Sequence, residues 1–154
     1  MDRFFVFLFM RISILSFCLL MAVPALASEH VIGGLRNVQP EAAVLRNGNV
    51  LPAINGMDIF ASDELRTGHS GALGIIFKDN TRISLGPDSL MAIHKYIFQP
   101  KRSKMGMLVE VFHGTAAYLS GIMAKISPES VSLQTPLAVI GARGTAFLID
   151  AGNN

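Results

Sequence analysis

From Glu41 onward, short apolar runs alternate with turn signals, and no amphipathic helical pattern of about ten residues interrupts them. Runs spaced about 8–12 residues apart are the rhythm of an all-β sandwich or barrel. Ala42–Arg46 leads into Asn47-Gly48, the residue pair a type I′ hairpin favours because both central positions need positive φ. Val50–Ala53 returns with Pro52, which suits a sheet edge because it cannot donate to a ladder. After Asn55-Gly56 come Asp63–Thr67, the loop Gly68-His69-Ser70-Gly71, and Ala72–Phe77, whose apolar residues on both faces predict a central strand. Lys78-Asp79-Asn80 turns into Thr81–Leu85, and Gly86-Pro87-Asp88-Ser89 turns again. Leu90–Phe98 and Met105–Phe112, joined by Gln99–Lys104, make the longest hairpin. Ala116–Lys125 has some helical propensity, with a bulged strand the equal alternative, given Gly114, Gly121 and Tyr118. Val131–Thr135, Ala138–Ile140 and Ala146–Ile149 complete the set. The expected fold is all-β, one domain of short strands, sandwich- or roll-like, with a β-helix-like stack as the alternative.

The N-terminus follows a different pattern. Residues 1–27 hold five of the ten phenylalanines and the only cysteine, Cys18. Arg3 and Arg11 bracket one apolar run, Ile12–Val23 forms another, and Ala25-x-Ala27 carries the small side chains of a cleavage site. Ile12–Val23 is too short to span a bilayer, which takes ~20 apolar residues. Joining Phe4–Met10 to it places Arg11 mid-span, at ~2.5–3.5 kcal/mol on insertion scales. A cleaved signal peptide, cut after Ala27, is the expectation, with an uncleaved inner-membrane anchor the alternative. Either way the cationic N-terminus keeps to the cytoplasm and the remainder is exported. Met10 is a competing start, since it gives a tidier signal. A lipoprotein signal is set aside because Phe17, not a small residue, precedes Cys18. The expected organisation is a signal peptide at 1–27, a lead-in at 28–40, and a β domain at 41–154. Without Cys18 the exported part has no disulfide, thiolate nucleophile or cysteine metal site.

Thirteen basic against eleven acidic residues exclude both a highly charged disordered tail and a strongly basic nucleic-acid binder. Candidates for catalysis are sparse. Nucleophilic chemistry needs a hydroxyl or thiol held against an oriented base. His69-Ser70 lies between glycines, but Ala72 breaks the nucleophile-elbow pattern. His30, His69, His94 and His113 show no metal-ligand spacing, no run alternates oxygen ligands for calcium, and no Gly-rich loop with its lysine cradles phosphate. The expectation is no catalytic residue, no metal and no cofactor. The one charge cluster, Lys101, Arg102 and Lys104, stands beside Tyr96 and Phe98 on the longest hairpin. It is the candidate partner-binding loop, for a membrane surface or an acidic partner, against the plainer reading of a solvated tip that discourages edge pairing.

Read in order, several turns resemble one family. Gly56-Met57-Asp58-Ile59, Ser62–Gly68, Gly71-Ala72-Leu73 and Phe77–Ser89 are similar to the FecR-type extracytoplasmic domain. Residues Thr135–Phe147, with Gly141-Ala142-Arg143-Gly144-Thr145-Ala146-Phe147, resemble its closing Gly-x-Arg-Gly-Thr-x-Phe signature. The resemblance spans about residues 40–149. It marks Asp63, Arg66, Gly68, Asp79, Gly86, Arg143, Gly144 and Thr145 as structural motif residues. Gly68, Gly71 and Gly86 are expected to permit turn backbones closed to other residues. Arg66 and Arg143 are expected either to pair with Asp79 and Asp88 or to be plain surface residues. Asn80 stands where the family has Gly, and it also tolerates positive φ.

The resemblance implies periplasmic sensing or regulation, in which membrane-spanning members relay a signal to a cytoplasmic sigma factor. Only about ten residues precede the apolar core of the N-terminus, too few for that relay, so the chain better matches small exported members. A C-terminus right after the signature strand leaves a missing strand, a truncated frame or a partner-supplied strand open. The expected function is non-enzymatic recognition of another envelope protein, periplasmic or secreted. The alternative is binding of an envelope glycan or small molecule, disfavoured by the lack of Trp and by only two tyrosines. No nucleic-acid partner is expected, and no membrane span once the signal is removed.

Overall fold

A computed structural model describes residues 30–142 and 146–152 of the chain. Two sheets enclose a single core. In spatial order the six-stranded sheet runs β13 (Ala146–Asp150), β10 (Thr115–Leu119), β7 (Arg82–Leu85), β6 (Leu73–Phe77), β1 (Val31–Arg36) and β4 (Asp58–Phe60). The seven-stranded sheet runs β12 (Ala138–Gly141), β11 (Val131–Thr135), β9 (Lys104–His113), β8 (Leu90–Gln99), β5 (Glu64–Thr67), β2 (Ala42–Arg46) and β3 (Asn49–Pro52). The architecture is all-β, as the strand rhythm predicts, and the one helix among the described residues is short (Ile122–Ile126).

Alternation along each strand explains how the sheets close on one another. Leu73, Ile75 and Phe77 of β6, Ile83 and Leu85 of β7, and Ala116 and Tyr118 of β10 are buried from one side. Val44, Leu65, Met91, Ile93, Val109, Val111, Val131 and Leu133 meet them from the other, and all belong to one cluster. A side-chain period of two puts each apolar set on the inner face, and burial of an aliphatic side chain contributes ~1.5–3 kcal/mol.

Local chemistry sets the turns. Asn47 and Gly48 both have positive φ, 50° and 79°, and β2 pairs with β3 across them. Pro52 ends β3, whose only strand neighbour among the described residues is β2. β6 is interior, between β7 and β1. The Ala116–Lys125 stretch divides into β10 and the short helix, so each of its two readings holds over part of it.

Two features were not apparent from the pattern. β1 lies in the 28–40 lead-in, yet it is an interior strand pairing with both β4 and β6, with Leu35 fully buried. β11 returns to the seven-stranded sheet parallel to β9, after the chain has visited the other sheet through β10.

β8 and β9 form the longest ladder, and its outer part stands apart. β5 reaches only Leu90–Ala92 of β8, and β11 reaches only Met107–Glu110 of β9. Among the described residues, 95–99 therefore pair only with 104–108 opposite them. A bulge at His94, where the register steps from Ile93↔Val109 to Lys95↔Leu108, inverts the alternation. Ile93 points inward before it; after it Tyr96 and Phe98 pack on the core, and Lys95 and Ile97 face out.

Candidate functional site

The turn between β6 and β7 is built around Asp79, which is fully buried. Asn80 takes φ 64°, the left-handed conformation expected of it. That geometry turns the Asp79 carboxylate inward, where each oxygen receives two donors. Oδ1 accepts from the Tyr96 hydroxyl at 3.0 Å and from Thr81 N–H at 3.3 Å. Oδ2 accepts from the Thr81 hydroxyl at 2.7 Å and from Met123 N–H at 3.2 Å. The Asp79 carbonyl accepts from Ile122 N–H at 2.7 Å, and its N–H donates to the Tyr96 oxygen at 2.9 Å. One side chain thus fastens the β6–β7 turn to β8 of the other sheet and to the short helix. Gly121 packs so closely there that a Cβ would collide with Thr81 N and Asp79 O. Phe77 stacks on Tyr96 with ring centroids 5.3 Å apart.

Burial, with the nearby Asp79 charge second, raises the Tyr96 hydroxyl well above its ordinary pKa. The same two causes in the same order push Tyr118 up to about 12. The Tyr118 hydroxyl is buried without a hydrogen-bond partner among the described residues; the neighbouring Thr81 hydroxyl already donates to Asp79 and accepts from Gly121 N–H.

A second buried carboxylate, Asp63, is gripped bidentately by Arg46, Nε to Oδ1 and Nη2 to Oδ2, both at 2.7 Å. Phe60 N–H adds a third donor at 2.9 Å, and the guanidinium lies 4.4 Å over the Phe60 ring. This arrangement holds β2 against the β4–β5 turn. A third buried knot joins Thr67 of β5 to the β7–β8 turn: the Thr67 hydroxyl donates to Gly86 O at 2.7 Å and accepts from Ser89 N–H at 2.9 Å. On its solvent side His69 Nδ1 lies 3.0 Å from the Asp88 carboxylate, and that hydrogen bond, then the Asp88 charge, raises the His69 pKa.

These placements choose the surface reading of Arg66 and correct the reason for glycine at positions 68, 71 and 86. Arg66 is exposed on β5 and pairs with neither Asp79 nor Asp88; hydroxyls, backbone N–H groups and His69 take those roles. Arg143, Gly144 and Thr145 lie outside the described residues. Gly68, Gly71 and Gly86 do not have positive φ. Close approach demands glycine there instead: a Cβ would meet Glu41 at Gly68 and Gly71, and the Thr115 hydroxyl at Gly86. Among the described motif residues, Asp63, Asp79 and the pair Gly68 and Gly86 therefore belong to three separate knots and do not converge on one cleft. Among the described residues no group of three or more His, Cys, Asp or Glu side chains is placed to hold a metal ion.

Lys101, Arg102 and Lys104 sit exposed at the β8–β9 tip, around a 3₁₀ turn (Pro100–Arg102) closed by Ser103 at φ 52°. Elsewhere, the two sheets end differently at their two flanks. At one, β3 and β4 are joined by residues 53–57; β3 ends in Pro52, and β4 has three residues with an exposed Asp58. At the other, β12 and β13 are joined by residues 142–145, and each has a single strand neighbour among the described residues. No charge occurs from Gln134 to Ala142. Leu137 is 94% exposed, Val139 72% and Leu148 74%.

The family-level comparison then decides the relationship: the model for FecR protein matches residues 63–154. This chain belongs to the FecR family. The FecR match opens at Asp63 and takes in the Asp79 turn, the Thr67 knot, the β8–β9 hairpin and the β12–β13 flank. β1 to β4 precede it in sequence and extend both of its sheets at one flank, β1 beside β6 and β2 beside β5. FecR domains are regulatory, non-enzymatic and associated with the cell envelope. No curated protein and no solved structure matches the chain. No helix among the described residues is long and apolar enough to cross a membrane.

Proposed function

We propose that this FecR domain is exported and acts without catalysis, recognising another protein of the cell envelope by accepting an extended strand at the β12–β13 flank. The observation that carries this reading is the contrast between the two flanks. Natural sheets blunt their edges with proline, charge or very short strands. β3 and β4 carry those devices, whereas β12 has no charged residue and β13 has one, Asp150 at its last position, with Val139 and Leu148 in solvent. Strand addition draws affinity from main-chain hydrogen bonds and specificity from alternate side chains. A partner for this flank offers an extended segment with apolar residues at alternate positions. In this account the three buried knots keep the framework rigid, and Lys101, Arg102 and Lys104 are a separate contact with the envelope, apart from that flank.

The test places a gatekeeping charge on each edge, Val139→Lys with Leu148→Lys, and uses Val50→Lys on β3 as the control. All three positions are exposed, so each folded state stays within ~0.5 kcal/mol of wild type. The proposal expects the edge variant to lose co-purification with its envelope partner while the control keeps it. Equal recovery by all three proteins contradicts it.

A further inference from the structure

We infer that the outer half of the β8–β9 hairpin is a cationic arm that docks the domain on an anionic phospholipid surface. The inference deepens the envelope reading by naming a lipid partner for a segment separate from the strand-accepting flank.

Four observations converge on that arm. It is structurally distinct, since among the described residues 97–99 and 104–106 pair only with each other, and neither 95–99 nor 104–106 is reached by β5 or β11. It is also held in one orientation: Tyr96 is locked by Asp79 and stacked on Phe77, while Phe98 and Met105 pack on the core. The bulge at His94 then sends Lys95 and Ile97 to the outside. Finally, its charge is of one sign. From Ser89 to Val109 there is no acidic residue, whereas Lys95, Lys101, Arg102 and Lys104 are all exposed and none forms an ion pair among the described residues. The nearest acidic side chain along the hairpin, Glu110, is occupied by His94 at 2.7 Å.

The shape of the arm favours a membrane over a protein. A specific protein interface buries ~800 Å² on each partner, and a narrow two-stranded ribbon offers little of that. An anionic leaflet needs only point charges that reach headgroup phosphates, and four long side chains on one ribbon supply them. Ile97, 38% exposed between these cations, fits the boundary below the headgroups. Each Lys or Arg near such a surface contributes about fivefold in binding, and salt screens the effect.

The test is vesicle co-sedimentation of the protein as recovered from the cells that make it. Vesicles of equimolar phosphatidylglycerol and phosphatidylcholine are compared with phosphatidylcholine alone, at low and high salt. Wild type is set beside the arm variant Lys101→Ala/Arg102→Ala/Lys104→Ala. A charge-matched control carries Arg36→Ala/Arg66→Ala/Arg82→Ala on exposed strand positions. Circular dichroism and the urea midpoint establish that both variants fold. The arm variant is expected to lose about a hundredfold in affinity for the anionic vesicles. The control loses only a few-fold, and high salt abolishes the preference for anionic over neutral lipid. Equal losses in the two variants, or equal binding to both vesicle types, overturn the proposal. Binding to poly-glutamate with no binding to anionic vesicles also overturns it, in favour of an acidic protein. Any of these failures leaves the strand-accepting flank standing, because that reading is tested by Val139 and Leu148 without lipid.

Discussion

Replacing Asp79 probes the most connected side chain in the fold. Asp79→Ala removes an acceptor from four donors, two of which are backbone N–H groups that cannot re-aim, Thr81 and Met123. Each buried donor left unpaired costs ~1–3 kcal/mol, so the two together cost ~4 kcal/mol, and the hydroxyls of Thr81 and Tyr96 recover part of their own loss by turning. With a urea slope of ~2 kcal/mol/M, the unfolding midpoint falls by ~2 M. Against a typical total of ~5–15 kcal/mol, that leaves the domain marginal. Asp79→Asn loses about half as much, because its amide nitrogen faces a backbone N–H in either orientation, Thr81 at one position or Met123 at the other. The assay is urea unfolding followed by circular dichroism and tyrosine emission. The chain has no Trp, and both of its tyrosines adjoin this knot, so emission reports on it directly. A midpoint loss below ~0.5 M for the alanine variant refutes the reasoning, since the four contacts would then be contributing less than one ordinary hydrogen bond.

Arg46→Ala strands the buried Asp63 carboxylate and costs ~3–5 kcal/mol in urea unfolding; a loss within ~0.5 kcal/mol contradicts the bidentate grip as a structural fastener. At alkaline pH the sign follows from the raised tyrosine values. The folded state holds the phenolic proton more tightly, so stability is fully present below the unfolded value of about 10 and is lost as pH rises toward about 12, the folded value of Tyr118. Unfolding midpoints that stay flat across that window contradict the burial of both hydroxyls. His69 should titrate above its ordinary 6.5 by NMR and return toward it in Asp88→Asn, with an unmoved titration counting against the pairing.

How much of this was legible in the sequence depends on how local each feature is. The Asn47-Gly48 hairpin, the Pro52 edge and the positive φ of Asn80 follow from single-residue backbone preferences, so the residues alone show them. β6 is legible because its apolar run leaves few other fates. β1 is not, because Gly33 and Gly34 dilute its apolar pattern. The reason for glycine lies on another strand: a Cβ on Gly33 would stand 2.6 Å from Ile76 O. The His94 bulge escapes a period-two reading because it changes the phase within one apparent run. Asp79 draws partners from Tyr96 and Met123, 17 and 44 residues away, and Asp63 takes Arg46 from 17 residues upstream. Turn residues mark a carboxylate as important, but proximity of that range is set by the sheet order. The resemblance therefore located Asp63 and Asp79 but left the partners of the Asp79 and Asp88 carboxylates open, and the arginine it offered among the described residues, Arg66, is a surface residue. The open flank had a partial signal, the uncharged stretch from Gln134 to Ala142, whose meaning depends on β12 being an edge.

Acceptance of an envelope protein's strand at the β12–β13 flank can be read out by site-specific photo-crosslinking in intact cells. A photoreactive residue is placed at Val139, at Leu148 and, at the opposite flank, at Val50. One discrete adduct with the same envelope protein is expected from Val139 and Leu148, and none from Val50. Adducts from Val50 alone, or an identical pattern from all three positions, would contradict it.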